Sequence, residues 1–350
     1  FHFRYCWQDI LLAFFVNENY FTKNHQFCLI SSTPDEQVSS LFQQLVTVDV
    51  PEKNTPFRIE INEIDCTIEQ SNESKPIEII VSFLQQIADG DQQQIGNILC
   101  YTIGEKECQT ISFGIDTKIR ESNDEKIVFL DVFDQQFQHI TKIYQLHQFI
   151  REQIIKHDNT SLFVIPVILT KNSTQLQKDF AICDFPSDIV SCSKLVISSH
   201  RIESQSVRNI IAVVDNGLEK QTVYDYQRGI NILKLKRLSQ SCRQQRIKKL
   251  GIFQNGFAYK LNITDFYKEM IVDVDIQRAD LKKYILDLKN LGIDVKKLFE
   301  KLPQGPSVSK LEQALKTLKQ IGLINQIEVI TKNGKSLTLY DNMSLTYASS

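Results

Sequence analysis

The chain has 350 residues, 42% of them hydrophobic and 23% charged, with a formal net charge of -2. This composition excludes a disordered or collagen-like polymer and suits two or three globular domains with sizeable cores. It also excludes a global basic field, so any nucleic-acid contact has to use a local groove.

The eight cysteines are scattered, none in a C-x-x-C pair, and several fall in apolar runs. They read as reduced core thiols, which points to a nuclear or cytoplasmic protein. The longest apolar candidate, residues 10–16, falls far short of the roughly 18–20 residues that a membrane helix needs. Phe1 is not a start methionine, and the residues after it lack a signal-peptide pattern, so the chain is expected to begin inside a longer protein.

Along the chain, apolar runs alternate with helical patterns. Residues 27–30 read as a buried strand, 38–45 as a helix, 69–75 as a polar loop and 77–87 as a helix. A strand at 98–101, a polar loop at 120–126, a helix at 140–155 and a strand at 162–169 come next. Residues 195–197 and 210–214 are further strands, 224–238 read as two strands around Arg228 and Gly229, and 240–250 as a helix. Continuous apolar runs suit strands covered on both faces, and their alternation with helices predicts an α/β fold with a parallel sheet.

After about residue 270 the pattern becomes helical. Leu281, Tyr284, Ile285, Leu288 and Leu291 repeat at helical spacing before Gly292, and a second amphipathic helix over 308–321 closes at Gly322. Beyond it lie strand-like residues at 327–330 and 336–339. Two short helices with strands after them suit a winged-helix module.

Several residue sets could carry chemistry. Ser31, Ser32 and Thr33 come after a strand and open a helix. Their hydroxyls can donate and accept hydrogen bonds, or simply cap that helix. Gly104 precedes a helix start rich in acids, Glu105 and Glu107. Residues 194–261 are the most informative stretch, carrying Ser198, Arg201, Ser206, Asp215, Gly217, Gln245, Arg246 and Gly251. In the hairpin, Arg228, Lys234, Lys236 and Arg237 supply either a phosphate-binding face or a solvated one. The run Arg243, Arg246, Lys248, Lys249 has the same two readings. The six histidines never reach zinc-protease spacing, and no G-x-x-x-x-G-K-[ST] loop occurs.

Taken in order, these segments resemble the DEAH-box RNA helicases over nearly the whole chain. His2 and Arg4 fall on the end of D-E-A-H-E-R, and Ser31, Ser32 and Thr33 on S-A-T. Residues 96–107 resemble the family's motif IV, 198–207 the first half of motif V, and Asp215, Asn216 and Gly217 its I-D-x-G. Gln245, Arg246 and Gly251 match Q-R-x-G-R-A-G-R, and Ile276, Gln277 and Arg278 match the I-Q-R before the winged helix. Residues 110–161 fit the family pattern least.

The resemblance implies a RecA-like parallel-sheet lobe followed by a helical winged helix. Residues 1–56 would end a first lobe, 57–270 form a second, 271–335 a winged helix and 336–350 the start of a ratchet domain. It implies ATP and Mg, with the magnesium-binding acids ahead of Phe1, and RNA as partner, with a G-patch-type or ribonucleoprotein partner besides. Gln245 and Arg246 would act in catalysis, while Asp215, Arg246 and Gly251 would contact nucleotide. Ser198, Arg201, Ser206 and Arg228 would contact RNA, and Ser31, Ser32 and Thr33 would couple the two sites.

The departures fall on phosphate chemistry. The family's first and last motif VI arginines reach the γ-phosphate, because a guanidinium binds phosphate oxygens as a charged fork. Here Lys249 replaces the middle arginine and Ile252 the last. Losing such an arginine costs about 10³–10⁵ in rate. The expected function is therefore an ATP-dependent RNA helicase with weak hydrolysis, or a non-catalytic helicase-like subunit that binds RNA or protein.

Overall fold

The computed structural model describes residues 5–16, 36–41, 46, 48, 57–92, 95–122, 125–137, 139–157, 161–199, 207–265, 274–302 and 304–339. The strand expected at 27–30 lies outside them.

In chain order the elements begin with α1 (Cys6–Val16), α2 (Glu36–Ser39), β1 (Ile59–Cys66), α3 (Ile68–Asn72), α4 (Ser74–Ala88), β2 (Asn97–Tyr101) and α5 (Glu105–Glu121). They continue with β3 (Ile127–Phe129), α6 (Ile143–Lys156), β4 (Leu162–Leu169), α7 (Gln175–Ile182), β5 (Cys192–Ser198), β6 (Ile210–Asp215), β7 (Leu218–Asp225) and β8 (Ile230–Arg237). The last are α8 (Gln240–Ile247), β9 (Gly256–Ile263), α9 (Lys282–Asn290), α10 (Val295–Phe299), α11 (Val308–Gln320) and α12 (Lys332–Thr338). Among the described residues no helix is long and apolar enough to cross a membrane.

The chain divides into two compact units, one of residues 50–220 with 235–269, the other of 1–49 with 221–234 and 270–350. The first holds a seven-stranded sheet in the order β1-β9-β6-β2-β5-β4-β3, with every neighbouring pair parallel. Successive side chains of a strand point to opposite faces. Ile98 and Cys100 accordingly join a core with α4 and α5, whereas Leu99 and Tyr101 join one with α6, α7 and α8. This is the α/β fold expected from the apolar runs, covered on both faces. β7 and β8 form a separate two-stranded hairpin.

Outside the hairpin residues 221–234, the second unit is helical. Cys6, Ile10, Leu12 and Ala13 of α1 share a core with Ile285, Leu286 and Leu288 of α9, Leu298 of α10, and Leu311, Leu315 and Leu318 of α11. The helices of residues 282–290 and 308–320 end before Gly292 and Gly322, as their spacing predicts.

Three local expectations change. Residues 69–75 are not a loop: Thr67 caps α3 by accepting from Gln70 N–H while the Gln70 side chain accepts from Thr67 N–H, and α4 starts at Ser74. Such a reciprocal cap satisfies two otherwise orphaned donors. Residues 336–339 are not a strand: Thr331 accepts from Gly334 N–H and starts α12. Residues 327–330 contribute only one antiparallel bridge, Ile324 to Ile330. Gly104 is extended at φ -168°, a conformation open to any residue, although a Cβ there would lie 2.5 Å from Glu107 Oε2 and 2.7 Å from Lys220 Nζ, the movable ends of two long side chains.

Candidate functional site

β2 lies between β5 and β6 in the parallel sheet. Ligands of open parallel sheets bind beyond the carboxyl ends of the strands. At those ends lie Tyr101 of β2, Ser198 of β5 and Asp215 of β6.

Asp215 is 1% exposed, and three donors converge on it. Its Oδ1 accepts from Arg246 Nη1 at 2.6 Å and from Gly217 N–H at 3.1 Å, and its Oδ2 accepts from Arg243 Nε at 2.9 Å. Burial by itself would push this carboxyl up; Arg246 and then Arg243 outweigh it and hold the group below the usual carboxylate range. Arg243 also donates to Asn262 Oδ1 at 3.2 Å and to the Leu261 carbonyl at 3.0 Å, so it ties α8 to both β6 and β9. The Arg246 guanidinium lies over the Tyr101 ring, 4.2 Å from its centre, a favourable cation–π contact.

The local sequence explains the clamp. Ser239 caps α8 by accepting from Cys242 N–H at 3.3 Å. Residues three apart on a helix share a face, so Arg243 and Arg246 point the same way. Gly217 has φ +69°, and a Cβ there would lie 2.9 Å from the Leu261 carbonyl oxygen and 3.3 Å from Arg243 Cζ. Both the turn and the seat of Arg243 thus require glycine. Gly251, at φ +72°, reverses the chain after α8 and leads into Ile252, which is 51% exposed.

The predicted site residues divide into four groups. Asp215 and Arg246 come together in the clamp, Gln245 precedes Arg246 in α8 and Gly251 follows the helix, and all four are buried. Sequence alone places the two arginines of α8 in a basic run facing phosphate or solvent. The structure turns both inward, because a buried carboxylate requires cationic partners. Ser198 is also buried, and its hydroxyl donates to the Leu169 carbonyl at 3.2 Å instead of facing outward. Arg228 stands apart, exposed in the hairpin turn with its Nε 3.9 Å from Asp225 Oδ2. Arg201, Ser206, Ser31, Ser32 and Thr33 lie outside the described residues.

Of the four hairpin cations, Lys236 is buried on Glu219 at 3.1 Å and Arg237 donates to the Ile263 carbonyl at 2.6 Å. Arg228 and Lys234 are exposed. Sequence reasoning overlooked Tyr101 and Asn262, and read Arg243 only as part of a basic run facing phosphate or solvent. The three-residue spacing of the α8 arginines, beside an Asp that ends a buried strand, was the available signal.

The fit of this site to a nucleoside triphosphate is incomplete. Both α8 guanidiniums are engaged by Asp215; Lys248 and Lys249 come next along the chain, and after Gly251 stands the apolar, 51% exposed Ile252. Among the described residues no cluster of three or more His, Cys, Asp or Glu is placed to hold a metal ion.

No family model matches the chain. It is similar to a putative ATP-dependent RNA helicase, rha-2, of Caenorhabditis elegans, 30% identical over 156 residues that cover 44% of this chain and 13% of that protein. It is similar to the ATP-dependent RNA helicase DHX30 of Homo sapiens, 28% identical over 159 residues, again 44% of this chain and 13% of the relative. Its fold is similar to that of the Escherichia coli DEAH/RHA helicase HrpB, with a TM-score of 0.66 and 17% identity, over 97% of this chain and 37% of that one. The aligned part is therefore about an eighth of the length of these curated relatives, 13% in both.

Proposed function

We propose, from the premise that this chain belongs to the DEAH-box helicase family, that it forms the second RecA-like lobe of an ATP-dependent RNA helicase whose hydrolysis is weak. In this reading residues 271–335 are the winged helix, and the phosphate-cradling loop and magnesium-binding acids belong to the first lobe. ATP supplies the phosphoanhydride that is cleaved. This chain's own contribution is positional: the Asp215 clamp fixes α8, and α8 fixes the Gly251–Ile252 loop.

One observation carries the proposal. The α8 framework is intact around Asp215, yet the loop that it holds presents Ile252 to solvent. A retained scaffold with an apolar side chain at a phosphate-reaching position favours a lobe that keeps its shape and has lost a transition-state contact. The same observation favours the second reading, a non-catalytic helicase-like subunit that binds RNA. In both readings RNA contact falls to the exposed hairpin cations Arg228 and Lys234, with Arg201 and Ser206 as further candidates, and a G-patch-type protein is a candidate partner.

RNA-stimulated ATP hydrolysis by the full-length protein, beside its Ile252→Arg variant, tests this. Slow hydrolysis that rises in the variant supports the weakened helicase. No hydrolysis in either form, with RNA still bound, supports the non-catalytic subunit.

A further inference from the structure

In the helical unit, three lysines from three helices converge on one carboxylate. Glu328 lies in the turn after α11; its Oε1 is 3.1 Å from Lys319 Nζ and 3.3 Å from Lys296 Nζ, and its Oε2 is 3.7 Å from Lys289 Nζ. Lys289 comes from α9, Lys296 from α10 and Lys319 from α11. Among the described residues no other carboxylate lies within ion-pair distance of these three amines. Three positive charges against one negative charge leave the cradle with a surplus of two.

Glu328 holds this place from an unfavourable backbone. Its φ is +63°, in the left-handed region that non-glycine residues avoid. The turn has little apolar anchorage, because Ile327 and Val329 on either side are both exposed. Its closure comes from Asn325, whose side chain accepts from Val329 N–H at 2.8 Å and whose backbone N–H donates to the Val329 carbonyl. The cradle meets water mainly at Lys296, whose side chain is half exposed, while the Lys289, Lys319 and Glu328 side chains are 14%, 25% and 21% exposed. A carboxylate in such a seat can exchange without unfolding the turn, because Asn325 and not the ion pairs closes it, and water at Lys296 partly screens the pairs.

We propose that this three-lysine cradle is an anion-binding site, that Glu328 is its resident internal ligand, and that a phosphorylated serine or threonine of a partner protein displaces it. A phosphomonoester carries a charge of about -1.5 to -2 and three acceptor oxygens, so it matches three ammonium groups better than a single carboxylate does. The amines converge on one point. A polynucleotide backbone offers one charge per phosphate and calls for cations spread along a track. Lysine suits a compact site of this kind because it acts as a point charge with rotatable donors.

The test titrates the intact chain, by fluorescence anisotropy, with a Gly/Ser-rich peptide carrying one phosphoserine. The unphosphorylated peptide and a single-stranded RNA without a terminal phosphate serve as comparisons. Removing an internal competitor raises the fraction of open sites, so Glu328→Gln is expected to tighten phosphopeptide binding about five- to tenfold. Lys296→Gln and Lys319→Met should each weaken it in the same chain, with the unphosphorylated peptide unaffected. Circular dichroism of each variant checks the fold, and Lys296→Gln, at a half-exposed position, keeps the test decisive if another variant is unstable. Unchanged phosphopeptide affinity in Glu328→Gln, or indifference to the lysine changes, overturns the site. An equal gain by the RNA overturns its assignment to a phosphomonoester.

Discussion

Arg246 Nη1 lies 2.6 Å from Asp215 Oδ1, inside the protein and with the guanidinium over Tyr101. This pair decides what the arginine of α8 can do. Its charge is spent on holding the end of β6, which locks the helix in place.

Removing Arg246 takes away the nearer of two cations on a buried carboxylate and leaves Arg243 to carry it alone. Arg246→Ala is therefore expected to destabilise the chain by about 1–3 kcal/mol. Urea unfolding of the variant measures it; a loss below about 1 kcal/mol would show that the clamp does not hold the fold.

The same carboxylate fixes an acid limit. Asp215 has a folded pKa below its unfolded value of about 3.9, so its stabilisation is complete above that value. It is lost as pH falls through the lower, folded pKa. Unfolding midpoints measured from pH 6 down to pH 2 should drop more steeply for the parent chain than for Asp215→Asn, which is less stable at pH 6 and flatter below pH 4. Parallel curves would remove Asp215 as the titrating group.

Gly217 supplies the turn from which Asp215 is gripped. Gly217→Ala places a methyl group against the Leu261 carbonyl and the Arg243 guanidinium, in a backbone region that costs a non-glycine residue about 1–3 kcal/mol. Thermal unfolding should show a loss of at least that size, and Gly90→Ala, with open space at its Cβ, tests the backbone cost alone.

How far the sequence revealed this depended on whether a signal was local. The buried strands were legible because covered parallel strands are continuous apolar runs, as at Leu162–Leu169. Asp215 and Gly217 were legible through the resemblance to I-D-x-G at the end of an apolar strand. The inward direction of Arg243 and Arg246 was not, since a basic run on a short helix looks the same whether it faces water or a buried acid. The cap by Thr331 was written in the sequence too, but the apolar residues after it imitated a strand. The lysine cradle was invisible, because its members are brought together only by helix packing.

Lys194 gives a second pH signature. It is fully buried in β5, with its Nζ donating to the Phe180 carbonyl at 2.7 Å and to the Cys183 carbonyl, and packed against the Phe180 and Phe185 rings. Burial lowers its pKa, partly opposed by Cys183. The folded chain therefore releases this proton at a lower pH than the unfolded chain, whose lysine titrates near 10.4. Stability from this residue rises with pH between those two values. Unfolding midpoints from pH 7 to pH 10 should carry an upward component that Lys194→Met lacks; the same rise in both chains would contradict it.

The central claim is that the α8 scaffold is intact while Ile252 withholds a phosphate contact. The most direct measurement is the rate of RNA-stimulated ATP hydrolysis by the full-length protein and by its Ile252→Arg variant. A missing guanidinium at such a position costs about 10³–10⁵ in rate, so the parent should be slow and the variant faster by roughly tenfold or more. Fast hydrolysis by the unmodified protein, unchanged by Ile252→Arg, would contradict it.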